Sequence, residues 1–212
     1  VQTCALPIWD QWKDRALAEN AAGERGTAAA LSLARVGPAE LQQPLLQHLA
    51  ETVFPPDAWR QLTVARRLEV LRAVTVSLTR MGRPDLPTCR DWALRLEPLF
   101  LTDVRDRWNP DAPLVDQWLA ELLVYFDSPR IVPQALAWTE TLESPAERLR
   151  FLFVLRSARV GWTASLRRQY FELLQGLDHH PGGNLLPVAL DSLRNEVLAK
   201  VPDDEQIGRA HV

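Results

Sequence analysis

Cysteine is nearly missing from this chain. Of its two, Cys4 and Cys89, the first lies in a terminal segment set aside below, and one remaining thiol excludes an internal disulfide and a cysteine-built metal cage. Long apolar runs are missing too. The nearest, Leu119 to Phe126, is broken by Glu121 and falls short of the roughly 18 residues that cross a bilayer, so no membrane span is expected. A basic excess is also lacking: 24 Lys+Arg face 27 Asp+Glu, a net charge of −3, and the arginines alternate with acids. Nucleic acid is therefore not an expected partner. There is no G-x-S-x-G elbow, no H-E-x-x-H, no glycine-rich phosphate loop following a strand and no C-x-x-C-H. No catalytic, cofactor-binding or metal-ligating residue is assigned, and the chain is read as non-enzymatic.

The two ends are related at the level of DNA. Val1 to Ile8 can be encoded by gttcagacgtgtgctcttccgatc. The reverse complement of that string encodes Ile207-Gly208-Arg209-Ala210-His211-Val212 and then runs into a stop. A natural gene has no reason to carry such an inverted repeat, and the string resembles a common sequencing adapter. Residues 1–8 and 207–212 are therefore set aside as adapter-derived tails, with native sequence expected over 9–206. Without Arg209 the native part is slightly more acidic than the formal charge.

What the chain does have is helical periodicity almost throughout, with alternating runs of Val, Ile and Thr missing. The expected class is all-α. The spacing predicts helices at about 10–22, 24–36, 38–52, 56–62, 64–81, 87–97, 112–126, 129–141, 145–160, 163–175 and 185–200. Pro38, Pro56, Pro129 and Pro145 stand where a first turn accepts a missing amide hydrogen. Ser128, Ser144, Thr63 and Thr163 are candidate N-caps, and Gly37, Gly82, Gly161 and Gly176 are candidate left-handed closures. Over 64–81 the expected apolar stripe is Leu68, Leu71, Val74, Thr75 and Leu78, with Arg66, Arg67, Glu69 and Arg72 opposite. Short helices joined by short turns predict a HEAT-like α-solenoid of stacked antiparallel hairpins. The tetrapeptide Ala-Arg-Val-Gly occurs at 34–37 and again at 158–161, expected to end a helix both times, as in a drifting array with a period of about 40 residues.

Eight tryptophans are many for this length. Most, including Trp92, Trp118 and Trp138, are expected as wedges between helices. Trp59 and Trp108 lie near expected loops and are the candidates for exposed contact. An alternative reading makes the chain a small-molecule, sugar-like binding domain with a pocket lined by Trp59, Trp92 or Trp108. His179-His180 lacks nearby ligands to complete a metal site and is read as a polar turn. The charged runs at 66–67, 148–150, 167–168 and 203–205 are read as solvated faces, functional only toward an acidic partner filling a groove.

Gly161-Trp162-Thr163, then Arg167-Arg168, Tyr170-Phe171, Gly182-Gly183 and Leu193-Arg194-Asn195-Glu196 resemble the last helices of the HEAT-repeat region in large planctomycete-type haem-binding, membrane-bound dehydrogenase-like proteins. Leu122 to Pro129, Glu147 to Arg156 and Leu68 to Pro84 are similar to the same region. Leu173 stands where the family often has an aromatic, and Asn184 where it has a small hydroxyl residue. The resemblance implies an exported protein, periplasmic or in the cell envelope. In it a dehydrogenase-like β-propeller precedes the helical repeats and a c-type cytochrome domain follows them. No haem ligand or catalytic base of that family has a matching position here. The expected role is a scaffold and interaction module whose partners are flanking domains or other proteins.

Overall fold

A computed structural model describes residues 6–101, 112–178 and 186–201. Among these, every regular element is helical: α1 (Leu6–Ala18), α2 (Glu24–Val36), α3 (Gln42–Thr52), α4 (Pro56–Gln61), α5 (Val64–Met81), α6 (Leu86–Leu96), α7 (Ala112–Tyr125), α8 (Ile131–Thr141), α9 (Pro145–Leu155), α10 (Ala164–Gln175) and α11 (Leu186–Leu198), with a 3-10 turn at Ala39–Leu41 before α3. The chain is all-α, as its periodicity predicts. Contacts divide it into two compact units, 1–122 and 123–212, the division falling within α7.

The helix bounds follow the local chemistry. α2 and α5 begin and end where the periodicity places them. Thr63, Ser144 and Thr163 accept the amides of Arg66, Glu147 and Leu166 and so cap α5, α9 and α10, each filling one of the donor positions a helix start leaves open. Asp85 does the same for α6 by accepting the Thr88 amide, a cap the periodicity did not pick. Ser128 differs from expectation: its hydroxyl accepts the Arg130 amide at 3.3 Å, which holds the turn ahead of α8 instead of capping the helix. α1 starts at Leu6, earlier than expected, with Pro7 in its first turn where proline is tolerated.

The largest departure is α9, which stops at Leu155 although apolar spacing carries on to Val160. Its end tightens into three-residue hydrogen bonds, Ser157 to the Val154 carbonyl at 3.2 Å and Ala158 to that of Leu155 at 2.9 Å, and the chain then leaves the helical path. The two Ala-Arg-Val-Gly copies are accordingly unlike. Residues 34–36 complete α2 and Gly37 follows at φ −64°, whereas 158–161 is loop and Gly161 has φ +83°. They do not mark equivalent places in a repeat. Gly176, at φ −60°, is no left-handed closure either; Gly82, at φ +89°, is the other glycine with positive φ among those described.

In the first unit α2 packs most extensively against α5, with α1 and α3 against α2, and α3 against α5 and α1. Leu33, Leu45, Leu49, Val70, Leu71 and Val74 are buried at this core, each contributing about 1.5–3 kcal/mol relative to exposure. The buried stripe of α5 is rotated from the expected one. Leu68 and Thr75 are half-buried, while Arg67, expected on the polar side, is buried with Val70, Leu71, Val74 and Leu78. The reason is α4, whose last carbonyls need donors: Arg67 Nε donates to the Trp59 carbonyl at 3.1 Å and Nη2 to that of Arg60 at 3.4 Å.

The same device recurs. Arg80 on α5 donates to the Ala34 carbonyl of α2 at 2.7 Å and to Gly37 at 3.3 Å, and Arg95 on α6 reaches the Ala50 carbonyl of α3 at 3.5 Å. A helix end leaves four carbonyls open and carries partial negative charge, which a guanidinium satisfies on both counts. Gln42 at the start of α3 adds a neutral version, donating to the Gly82 carbonyl at 2.7 Å.

In the second unit α8 packs on α9 and α10, and α10 on α9 and α11, around Val132, Leu136, Leu152, Leu155 and Leu174. Arg148 on α9 donates to the Leu142 carbonyl just after α8 at 2.6 Å. Gly161 brings its backbone against Pro129, so a Cβ there would stand 2.6 Å from the Pro129 carbonyl oxygen, whereas a Cβ on Gly82 would meet nothing within 4 Å.

These two glycines separate strain from collision. Gly82→Ala is expected to cost about 1–3 kcal/mol, the strain of its backbone region. Gly161→Ala is expected to cost at least about 1 kcal/mol more, because the added methyl must also displace a backbone carbonyl. Urea unfolding followed by circular dichroism measures both, and equal losses would count against the collision.

Candidate functional site

Trp59, expected at the surface, is fully buried, and Trp92 is 1% exposed. Both rings pack on Phe54: Trp59 is stacked at 5.4 Å between centroids and Trp92 meets it edge-on at 5.0 Å. Arg67 lies over the Trp59 ring at 5.4 Å, adding a cation–π contact to its capping bonds. The correction has a simple cause: α4 is a short helix whose one large apolar side chain turns inward onto Phe54. The Trp-lined sugar pocket thereby loses two of its three proposed walls to the core, and the third, Trp108, lies outside the described residues. Gly182, Gly183, His179 and His180 also lie outside them. His48 places Nε2 at 3.0 Å from the Glu19 carbonyl oxygen. Cys89 is buried, its thiol donating to the Pro84 carbonyl. Among the described residues no group of three or more His, Cys, Asp or Glu is placed to hold a metal ion.

The family-like residues Gly161, Trp162, Thr163, Tyr170 and Phe171 come together in the second unit. Thr163 caps α10, and about two turns later Tyr170 is carried into the core, fully buried, where its hydroxyl donates to the Leu152 carbonyl of α9 at 3.0 Å. Trp162 meets Tyr170 edge-on at 5.5 Å, and its indole Nε1 donates to the Ala158 carbonyl at 3.1 Å. Phe171 also meets Tyr170 edge-on, at 5.7 Å. Together with the Gly161–Pro129 approach, these contacts pin loop 156–163 at both ends.

That loop carries the charge cluster that sequence reasoning missed, because 156–160 read as helix. Beside it is a cavity of about 240 Å³ with Trp162 and Val197 as apolar walls and Arg156, Arg159, Arg167 and Lys200 around them; no acid lines it among the described residues. Two acids act from outside. Asp127 takes Arg159 through both oxygens, Nε to Oδ1 at 3.1 Å and Nη2 to Oδ2 at 2.8 Å, and Glu196 takes Arg156 Nε at 2.8 Å. Arg156 Nη1 donates to the Phe153 carbonyl at 2.7 Å, and its guanidinium stacks 3.5 Å from the centre of the Phe153 ring. Lys200 donates to the Arg156 carbonyl. The one legible signal was the spacing of Arg156 and Arg159 ahead of Gly161-Trp162. The partnership with Lys200, which is 44 residues from Arg156, had none. In chemical terms the arrangement gathers oriented donors around a partly apolar floor.

Burial pushes the Tyr170 phenol above its ordinary value; Arg156 nearby pulls it down and Glu196 adds to the rise. Comparison with protein-family models, curated proteins and solved structures found no match.

Two stability measurements follow. Trp59 Nε1 is buried without a hydrogen-bond partner among the described residues, a penalty of about 1–3 kcal/mol. Trp59→Phe removes that penalty along with some packing, so its net cost in urea unfolding is expected within about 1 kcal/mol of zero; a loss of several kcal/mol would contradict the orphan donor. Tyr170→Phe is expected to cost about 1 kcal/mol at neutral pH. Because the folded phenol is raised, its contribution is complete below the unfolded value of about 10 and lost as pH climbs above it. Wild type should therefore lose its advantage over Tyr170→Phe in strong alkali, and an advantage unchanged above that pH would refute the assignment.

Proposed function

We propose that this chain is a non-catalytic helical-repeat scaffold and interaction module, a HEAT-like stack of antiparallel hairpins. The observation that carries the reading is the packing order within each unit. In the first, α2 contacts α1, α3 and, most extensively, α5, and α3 also contacts α1 and α5; in the second, α8 contacts α9 and α10, and α10 contacts α9 and α11. Nearest and next-nearest pairing, with α4 as a short insertion, is the contact pattern of two-layer hairpin stacks. The buried polar side chains Arg67, Thr27 and Tyr170 support it further, since each donates to a backbone carbonyl at a helix or turn and so fixes one element against another.

On the family resemblance, the module belongs to a larger exported redox protein of the periplasm or cell envelope, standing between a dehydrogenase-like propeller and a c-type cytochrome domain. Gly161, Trp162, Thr163, Tyr170 and Phe171 favour a structural role for the shared motif, because they lock α10 to α9 and the intervening loop. The haem would belong to the flanking domain, not to these residues. The partners are those flanking domains or other proteins.

The purified chain is expected to give a helical circular dichroism spectrum, no Soret band, no dehydrogenase activity and no saturable tryptophan quenching by sugars. A haem spectrum or sugar saturation would overturn the reading. The longer open reading frame of the source DNA is expected to encode C-x-x-C-H downstream of Glu205, and a frame that closes without it would remove the redox parent.

A further inference from the structure

We infer that the outer face of α6 is an interface between two copies of this chain, paired antiparallel about a two-fold axis. The helix has two distinct sides. Cys89, Trp92, Ala93 and Leu96 are buried, whereas Leu86, Pro87, Arg90, Asp91 and Leu94 are exposed. At about 100° per residue, the exposed five fall within an arc of about 140°. A leucine exposed singly on a surface needs no explanation. Leu86 and Leu94, however, are 64% and 68% exposed, the only leucines so open among the described residues, and they stand about one turn to either side of Arg90 on the same arc. Covering both together removes a continuous apolar ridge from water.

The order of the charges identifies the occupant. Arg90 makes no hydrogen bond or ion pair among the described residues. Its neighbour Asp91 accepts Arg95 Nε through Oδ2 at 2.7 Å and is 55% exposed, so its other oxygen stays open to a second donor. Turning α6 end for end about a point between Arg90 and Asp91 sets Leu86 against Leu94 of the second copy and Arg90 against its Asp91. The two-fold axis repeats both contacts. A patch that complements itself in this way closes as a dimer. Four leucines leave water, and two guanidiniums gain carboxylates. An unrelated partner would have to supply the same spacing of leucine, acid and leucine, which a second copy already carries. The contact is one helix against one helix, smaller than a standard interface, so the dimer is weak and reversible. Each copy has a net charge of −3, but at physiological ionic strength charges farther than roughly 8 Å from the contact are largely screened. The facing Arg–Asp pairs lie inside that distance.

Sedimentation velocity of the whole chain, at about 1 μM to about 0.5 mM and with a reductant so that Cys4 cannot link copies, should show a dimer that grows with concentration. Leu86→Ser with Leu94→Ser should weaken it about ten-fold or more. Val36→Ser, at a position 61% exposed on α2, should change it less than about two-fold. The charges give a sharper result. Arg90→Asp alone sets acid against acid across the axis, and Asp91→Arg alone sets base against base, so each variant by itself should dimerise about ten-fold more weakly. Mixed together, the two restore both Arg–Asp contacts, and the mixture should form a heterodimer close to the wild-type affinity. Circular dichroism checks that each variant is folded; should a charge variant misfold, the leucine pair against Val36→Ser decides. A chain that stays monomeric throughout gives the face to a different protein and overturns the pairing. So does a dimer indifferent to the leucines, equal weakening by Val36→Ser, or folded charge variants that do not recover on mixing. None of these outcomes alters the helical, haem-free spectrum by which the scaffold reading is tested.

Discussion

A short helix that ends inside a protein exposes carbonyls with no partner, and this chain, built from many short helices, creates that problem repeatedly. Its recurring solution is a guanidinium delivered from a helix further along. Arg80 closes α2, Arg95 reaches the end of α3, Arg67 closes α4 and Arg148 closes α8. Each contact satisfies an acceptor, complements the negative end of the helix dipole and ties two helices together, neighbours in sequence for Arg67 and Arg148 and more distant ones for Arg80 and Arg95. This accounts for a composition that is otherwise puzzling, in which nearly all cations are arginine and Lys13 and Lys200 are the only lysines. A planar fork can hold two carbonyls at once, which an ammonium does less well.

The second unit uses the same chemistry and then departs from it. α9 stops early, and the closing of its last turn falls to Lys200 in the turn after α11 and to Arg156 itself. Because loop 156–163 is pinned by Tyr170 and Trp162 on one side and by the Gly161–Pro129 approach on the other, its arginines are oriented without being covered. Structural caps and the charge cluster beside the cavity are thus made largely from the same residue type, and what separates them is whether a helix end or the cavity lies in front of the guanidinium.

Much of the helical framework was legible along the chain, because caps and periodicity are local. Thr63, Ser144 and Thr163 announce their helices through hydroxyls that reach only three residues on, and the bounds of α2 and α5 follow from apolar spacing. The misreadings share one cause. Arg67 and Trp59 were placed outside by their polarity and their nearness to a loop, yet each is drawn inward by the other: the arginine needs the open carbonyls of α4, and the indole needs the apolar gap beside Phe54. Val160 read as helix because spacing cannot register that the chain must bend there to bring Gly161 against Pro129. The twin Ala-Arg-Val-Gly segments looked equivalent for the same reason.

The candidate site was the least legible part, since its members, Arg156, Arg159, Arg167 and Lys200, belong to a loop, to α10 and to the turn after α11, which sequence spacing does not relate. The sequence by itself determined the all-α class, the order of the helices and most of their starting caps, all of which depend on interactions within about one helical turn. Only the tertiary structure decided which arginines are caps and which face a cavity, that Trp59 belongs to the core, and where α9 ends. Those outcomes depend on which carbonyls and apolar surfaces lie opposite, and residues distant in the chain supply them.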